Sequence, residues 1–277
     1  MGVMQAQLDF IGSPPQEEIE QEQFTLWDEK ETRAGDFMPL LPLLSKKAYS
    51  PSYKQGGSWQ GQHPIDYSKV NELFNSFDSK EVERYKSYWE SIKPKNDTEV
   101  FQRWLFAFMS VHTSWESNVR GYEAVKDWTK WVNRDDELER LLVESRVGLH
   151  KNRTRFVSQF AHKFWSDPDW YKYQEGNWQT FRDRLVKNIL GLGIAKVSFA
   201  LEMIYPNETK VTCMDTHLFQ AYGLDQSRDA RRYVEIENYW LDMCSMWNVP
   251  STIARAIYWD RKQDKTDSRY WSYVLED

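Results

Sequence analysis

From Asp66 onward the apolar residues recur at helical spacing almost throughout. In "NDTEVFQRWLFAFMSVHTSWESNVRGYEAV" the run opens on Asn, Asp and Thr, all good N-caps. Val100, Trp104, Leu105, Phe108 and Val111 then fall on one helical face. "DDELERLLVESRVGLHKNRTRFVSQFAHKFW" reads as two helices broken near Gly148, and "WQTFRDRLVKNILGLGIAKVSFALEMIY" as helix, Gly-x-Gly turn, helix. "CMDTHLFQAYGL" starts another helix with Asp or Thr as its cap, and 231–247 and 250–262 give two more. No alternating apolar-polar strand stands out. The pattern predicts an all-α body.

Residues 1–62 break this rhythm. "GSPPQ", "MPLLPLL" and "SPSYKQGGSWQGQHP" punctuate them, with no sustained periodicity. We therefore divide the chain into an irregular, acidic N-terminal arm (1–62) and a helical domain (63–277). The apolar words "FTLW" and "FMPLLPLL" leave docking of the arm on the body open.

Charge changes the picture through its location. The formal net charge of −6 argues at first against a nucleic-acid partner. Between Glu17 and Asp36, however, eight acids face only Lys30 and Arg33, so this stretch carries the whole excess. The remainder is neutral and can hold basic patches. Aromatics reach 16% with 14 Trp, enough for a large core, with stacking on bases as the alternative use. Two cysteines, Cys213 and Cys244, cannot build a disulfide framework, a four-thiolate zinc site or a cysteine-held iron–sulfur cluster. No apolar run approaches the roughly 20 residues of a membrane span, and the start lacks a signal-peptide pattern. The expectation is a soluble, cytoplasmic protein with no membrane partner, in the host cytoplasm if the chain is viral.

Candidate chemistry gathers in "NILGLGIAKVSFALEMIYPNETKVTCMDTHLF". Gly191 and Gly193 join two helices, and glycine there permits positive φ and close backbone approach. The helix that follows would present unpaired N–H groups to an anion such as a DNA phosphate, although a Gly-x-Gly turn can be only a turn. Twenty-two residues after Gly193, Asp215 stands in a mostly apolar run at a helix start. It can be an N-cap, or a carboxylate that stabilises a cation or takes a proton.

Together these words resemble the helix-hairpin-helix DNA glycosylase superfamily, in which a Gly-x-Gly hairpin is followed about twenty residues later by Asp in a V-D-T-H context. "FQRWLFAFMSVHTSWESNV" looks like that family's early core helix and "LLVESRVGLHKNRTRFV" like its vGl-y-r-n-K-A segment, so the likeness covers roughly residues 95 to 225. The resemblance implies a two-lobed helical bundle with its hairpin at about 181–204, double-stranded DNA as partner, and extrusion of one nucleotide, since chemistry on a base needs it out of the stack. It implies a catalytic role for Asp215 near the sugar of the extruded nucleotide. It also implies a phosphate held by Gly191 and Gly193, often with a monovalent cation (K+ or Na+) on carbonyls near Ile189 and Leu192; no cofactor is otherwise required, and no other metal is expected. Beside the hairpin, the basic run Arg146, Lys151, Arg153, Arg155 and Lys163, with Arg182, Arg184 and Lys187, gives phosphate contacts, foremost Lys151, Arg153 and Lys187.

The lysine is ambiguous. Bifunctional members carry an attacking lysine two residues after the second glycine, where this chain has Ala195; Lys196 comes one later, about 100° further round a helix. Counted back from Asp215, the separation of 19 suits the nucleophile. Because the loop "YPNET" can absorb an insertion and the hairpin cannot, the glycine count weighs more. Lys196 is thus a second catalytic candidate that can equally be a phosphate or substrate contact, or a surface charge. Ala195, His112 and His217 are pocket candidates, with a structural histidine the alternative for either His. The sequence also departs from the family: Ile189-Leu190-Gly191 replaces Leu-Pro-Gly, Val111-His112 stands where relatives have wedge glutamines, and the cluster cysteines are missing.

Three activities fit. "GLGIAKVSFALEM" and "CMDTHLFQAYG" look like the bacteriophage branch that hypermodifies thymine, displacing pyrophosphate from 5-hydroxymethyluracil in DNA with a small amine or amino acid; this reading leads. The second is a monofunctional glycosylase that excises a modified or damaged base. The third is a non-catalytic DNA-binding protein of the same fold.

Overall fold

The computed structural model describes residues 63–264 and 272–276. The N-terminal arm proposed for residues 1–62 lies outside them. Twelve α-helices occur among the described residues, with short 3-10 turns and no strand, as the periodicity predicts. They are α1 (Ser68–Asn75), α2 (Ser79–Ser91), α3 (Asp97–Met109), α4 (Trp115–Val125), α5 (Asp135–Glu144) and α6 (His150–Ser166). Then follow α7 (Trp178–Asn188), α8 (Ile194–Ile204), α9 (Thr216–Ala221), α10 (Gln226–Asp229), α11 (Tyr233–Trp247) and α12 (Ser251–Lys262).

Local chemistry explains the boundaries. Asn96 caps α3 by accepting the Glu99 N–H at 3.0 Å, and Asn177 caps α7 by accepting that of Thr180 at 2.9 Å. The break near Gly148 falls between α5 and α6, with Arg146, Gly148 and Leu149 all in the left-handed region.

α3 is buried nearly all round and forms the centre of the fold, packed by α4, α6 and α8. Phe101 stacks on Phe160 of α6 at 5.8 Å, and Phe106 meets Phe199 of α8 at 6.0 Å. Each such ring removed from water contributes about 1.5–3 kcal/mol. Trp89, Trp104, Trp131 and Trp240 are fully buried, so tryptophan serves the core first. The first helices fold back on the last ones, α2 against α12 and α1 against α11, while α8 touches α3, α7 and α12. Two helical groups therefore meet at α8.

Candidate active site

The segment between α8 and α9 delivers Asp215. Residues 209–215 form neither helix nor strand and are mostly buried, so local turns and side chains must satisfy their backbone. Glu237 accepts the Thr212 N–H at 2.8 Å, Glu202 that of Cys213 at 3.3 Å, and the Tyr233 hydroxyl that of Met214 at 3.1 Å. Tyr233 in turn donates to the Thr212 carbonyl at 2.6 Å. Arg182 of α7 donates to both oxygens of Glu237 at 2.5 and 2.6 Å. The segment is thereby tied to α7, α8 and α11.

Asp215 caps α9. Its Oδ1 accepts the N–H groups of His217 and Leu218 at 2.9 and 3.0 Å, and its Oδ2 accepts the indole N–H of Trp259 at 2.8 Å. The two readings of Asp215 are thus compatible: one oxygen caps, and the carboxylate keeps 22% exposure. Arg255, one turn before Trp259 on α12, places Nη1 3.9 Å from the same Oδ2. Its Nε and Nη2 grip the fully buried Glu202 at 3.0 and 2.8 Å. Burial pushes the Glu202 carboxyl up to about 7 against the opposing pull of Arg255. The charges of Arg255, Asp215, Lys196 and Glu202 all act on the buried Cys213 thiol, which burial pushes up to about 12. Tyr258, pushed up to about 12 by burial and by Asp215, donates to the His217 carbonyl at 2.9 Å. The His217 ring meets Trp259 edge-on at 5.0 Å, and its Nδ1 has no hydrogen-bond partner among the described residues.

Lys196 faces this cluster. Its Nζ lies 5.7 Å from the centre of the Phe199 ring, which also carries Arg255 at 5.1 Å. Ala195 is half-buried on the first turn of α8.

The hairpin is an exposed Gly-x-Gly turn. Gly191 takes φ +86, and Gly193 caps α8 without a side chain. Among the described residues no hydrogen bond leaves the N–H of Gly193, Ile194 or Ala195, and none ends on the carbonyls of Ile189 or Leu192. Those are the donors a phosphate needs and the acceptors a monovalent cation needs. Lys187, in the last turn of α7, and Lys151, in the first turn of α6, are exposed. The hairpin touches α6 through Phe156. No cluster of three or more metal-ligating side chains occurs among the described residues.

Arg153 is placed differently from expectation. It is 4% exposed and donates to the carbonyls of Phe108 (3.4 Å), Met109 (3.3 Å), Gly148 (2.5 Å) and Val111. These include the C-terminal carbonyls of α3, where a cation is favoured. Burial lowers its guanidinium to about 10. Arg153 is a clamp between two loops, not a phosphate contact. Arg182 likewise leaves the basic run for the buried pair with Glu237. The clamp sets the turn bearing His112 (exposed, φ 51) beside the turn bearing the exposed Leu149.

Arg255, Trp259 and Glu202 are site residues that motif reading missed. Glu202 had a signal, a lone acid within "VSFALEMI" at core spacing. Arg255 and Trp259 stand four apart on one helix face, but nothing local names their partner.

This architecture is the all-helical helix-hairpin-helix DNA glycosylase fold. Among solved structures, the 8-oxoguanine DNA glycosylase of Methanocaldococcus jannaschii superposes with a TM-score of 0.58 at 23% identity, over 72% of this chain and 94% of that one. The same organism's 8-oxoguanine glycosylase/lyase, in complex with a 15mer DNA containing 8-oxoguanine, gives 0.58 at 22%, over 72% and 98%. The 8-oxoguanine DNA glycosylase of Thermotoga maritima gives 0.52 at 16%, over 73% and 94%. At these identities the likeness is one of fold. No family model matches the chain, and no curated protein matches it by sequence. No helix of the described residues is long and apolar enough to cross a membrane.

Proposed function

We propose that this protein is a DNA-base-directed enzyme that works on an extruded nucleotide in double-stranded DNA, with Asp215 as its catalytic carboxylate. One observation carries this reading: a largely buried but still accessible Asp215, fixed by Trp259, stands at a helix start beyond a hairpin whose free N–H groups adjoin the basic face of α6. Lys151, Lys187 and the hairpin hold phosphates, and His112, His217 and Ala195 border the base. A K+ or Na+ ion at the Ile189 and Leu192 carbonyls would add positive charge beside that phosphate.

Within that class we favour transfer to the base over its removal. An amine or amino acid attacks the C5 methylene of pyrophosphorylated 5-hydroxymethyluracil. The bond from that carbon to the pyrophosphate oxygen breaks, pyrophosphate leaves with the electron pair, and Asp215 accepts the amine's proton. Lys196 offers positive charge to the leaving group. Ala195 supports this reading, because an enzyme that keeps the glycosidic bond has no use for a nucleophile in that slot.

A second reading, hydrolytic base excision, has the solved glycosylases of the same fold in its favour. There Asp215 stabilises the cationic sugar while water adds to it. The deciding experiment incubates the protein and amino acids with DNA carrying pyrophosphorylated 5-hydroxymethyluracil, followed by nucleoside mass spectrometry. A heavier nucleoside with an intact sugar bond is expected. Free base or abasic sites would overturn transfer in favour of excision.

A further inference from the structure

Asp215 is held by more than its cap. Trp259 reaches Oδ2 from α12 at 2.8 Å, and Arg255 on the same helix face stands 3.9 Å from that oxygen. Arg255 cannot choose its own position: Nε and Nη2 are fixed on Glu202, which is fully buried on α8. Glu202 also accepts the Cys213 N–H, two residues before Asp215, so it steadies both the backbone leading to the carboxylate and the cation beside it.

A buried ion pair is a poor source of net stability, because desolvating both charges offsets their attraction. A hydrophobic pair would fill the same space at no such cost. The pair does have a geometric consequence, since it aims the remaining guanidinium nitrogen at the Asp215 oxygen that does not cap α9.

We propose that Arg255, anchored by Glu202, and Trp259 are positioning residues that hold the Asp215 carboxylate in its working orientation. The proposal rests on the reading of Asp215 as the catalytic group. It adds that this group's placement is set from α8 and α12, beyond the hairpin unit.

The test has two arms. In 1H–15N spectra of the full chain, Trp259→Phe assigns the Trp259 indole N–H by deleting its peak. Asp215→Asn, Glu202→Gln and Arg255→Lys are each expected to move that peak upfield as the charge-assisted hydrogen bond weakens. Glu202 lies on another helix, so a peak unmoved by both Glu202→Gln and Arg255→Lys overturns the proposal, whatever the reaction. If Glu202→Gln does not fold, Arg255→Lys, which keeps the buried charge, decides alone.

The second arm measures single-turnover rates and DNA dissociation constants on duplexes carrying pyrophosphorylated 5-hydroxymethyluracil (with amino acids) or 8-oxoguanine. Trp259→Phe and Arg255→Lys are expected to lose about 10- to 100-fold in rate, the order expected for misplacement near 1 Å, with the dissociation constant within about twofold. Neither substitution should slow an Asp215→Asn background further, because both act through Asp215. Full rates in these variants beside a dead Asp215→Asn overturn the positioning role and leave Proposed function standing. An Asp215→Asn with wild-type rate overturns Proposed function itself.

Discussion

Gly191 lies flat against Phe156: a Cβ added at Gly191 would stand 2.4 Å from Cδ2 of that ring. The contact seats the hairpin on α6, the helix that carries Lys151 and Arg155, and sets the hairpin's free N–H groups beside basic side chains. Gly191 also holds φ +86, so Gly191→Ala meets both a clash and backbone strain. It is expected to destabilise by about 1–3 kcal/mol and to weaken DNA binding with it. Gly193 differs, with φ −82 and no heavy atom within 4 Å of an added Cβ. Gly193→Ala should cost no more than about 1 kcal/mol, through the poorer N-cap alone, and a loss of DNA affinity in the folded variant, read by fluorescence anisotropy, would place the phosphate against its backbone.

Lys196 shares the Phe199 ring with Arg255, on the turn of α8 that also carries Ala195. Its contact with the Phe199 ring contributes about 0.5–1 kcal/mol, so Lys196→Gln should fold normally. We expect it to slow turnover about tenfold through the lost positive charge at the leaving group. Borohydride treatment of the wild type on DNA should trap no adduct that depends on this residue. A trapped adduct abolished by Lys196→Gln would return the lysine to the nucleophile's role.

Much of this was legible in the sequence, and the rest failed for identifiable reasons. Asn96, the break at Gly148 and the cap at Asp215 follow from local chemistry, so these boundaries needed no tertiary knowledge. Arg153 sits in the basic run 146–163, whose charge alone reads as one exposed face. Yet it shares a helical stripe with Val157, Phe160 and Phe164, all buried, and that spacing already separated it from Lys151. Trp259 and Arg255 could not be read locally, because their partners lie 44 and 40 or more residues away in the chain. Side chains that satisfy an irregular segment leave no periodic signature.

Glu202 gives the pH dependence a sign. Its carboxyl stands at about 7 when folded against an ordinary 4.5, the shift coming from burial. Between these values the folded protein keeps a proton that the unfolded chain has released, so the Glu202 contribution to stability is full below about pH 4.5 and is lost as pH rises through 7. Urea melts of wild type and Glu202→Gln from pH 4 to 8 should show the difference in unfolding free energy moving toward the variant over that window, then levelling. A difference that is flat across it would contradict the burial of an ionisable group there.

Lys151 and Arg153, two residues apart on α6, should separate binding from folding. Lys151 is exposed in the first turn, so Lys151→Ala should keep the melting temperature and lower the slope of log affinity against log salt by about one. Arg153 donates to carbonyls on two loops and to the end of α3, and removing it leaves buried acceptors unsatisfied at about 1–3 kcal/mol each. Arg153→Met should therefore cost several degrees of melting temperature. Because its guanidinium is buried on carbonyls, the protein that remains folded is expected to bind DNA with an unchanged salt slope. A slope lowered by about one in Arg153→Met, at wild-type stability, would instead put that guanidinium on a phosphate.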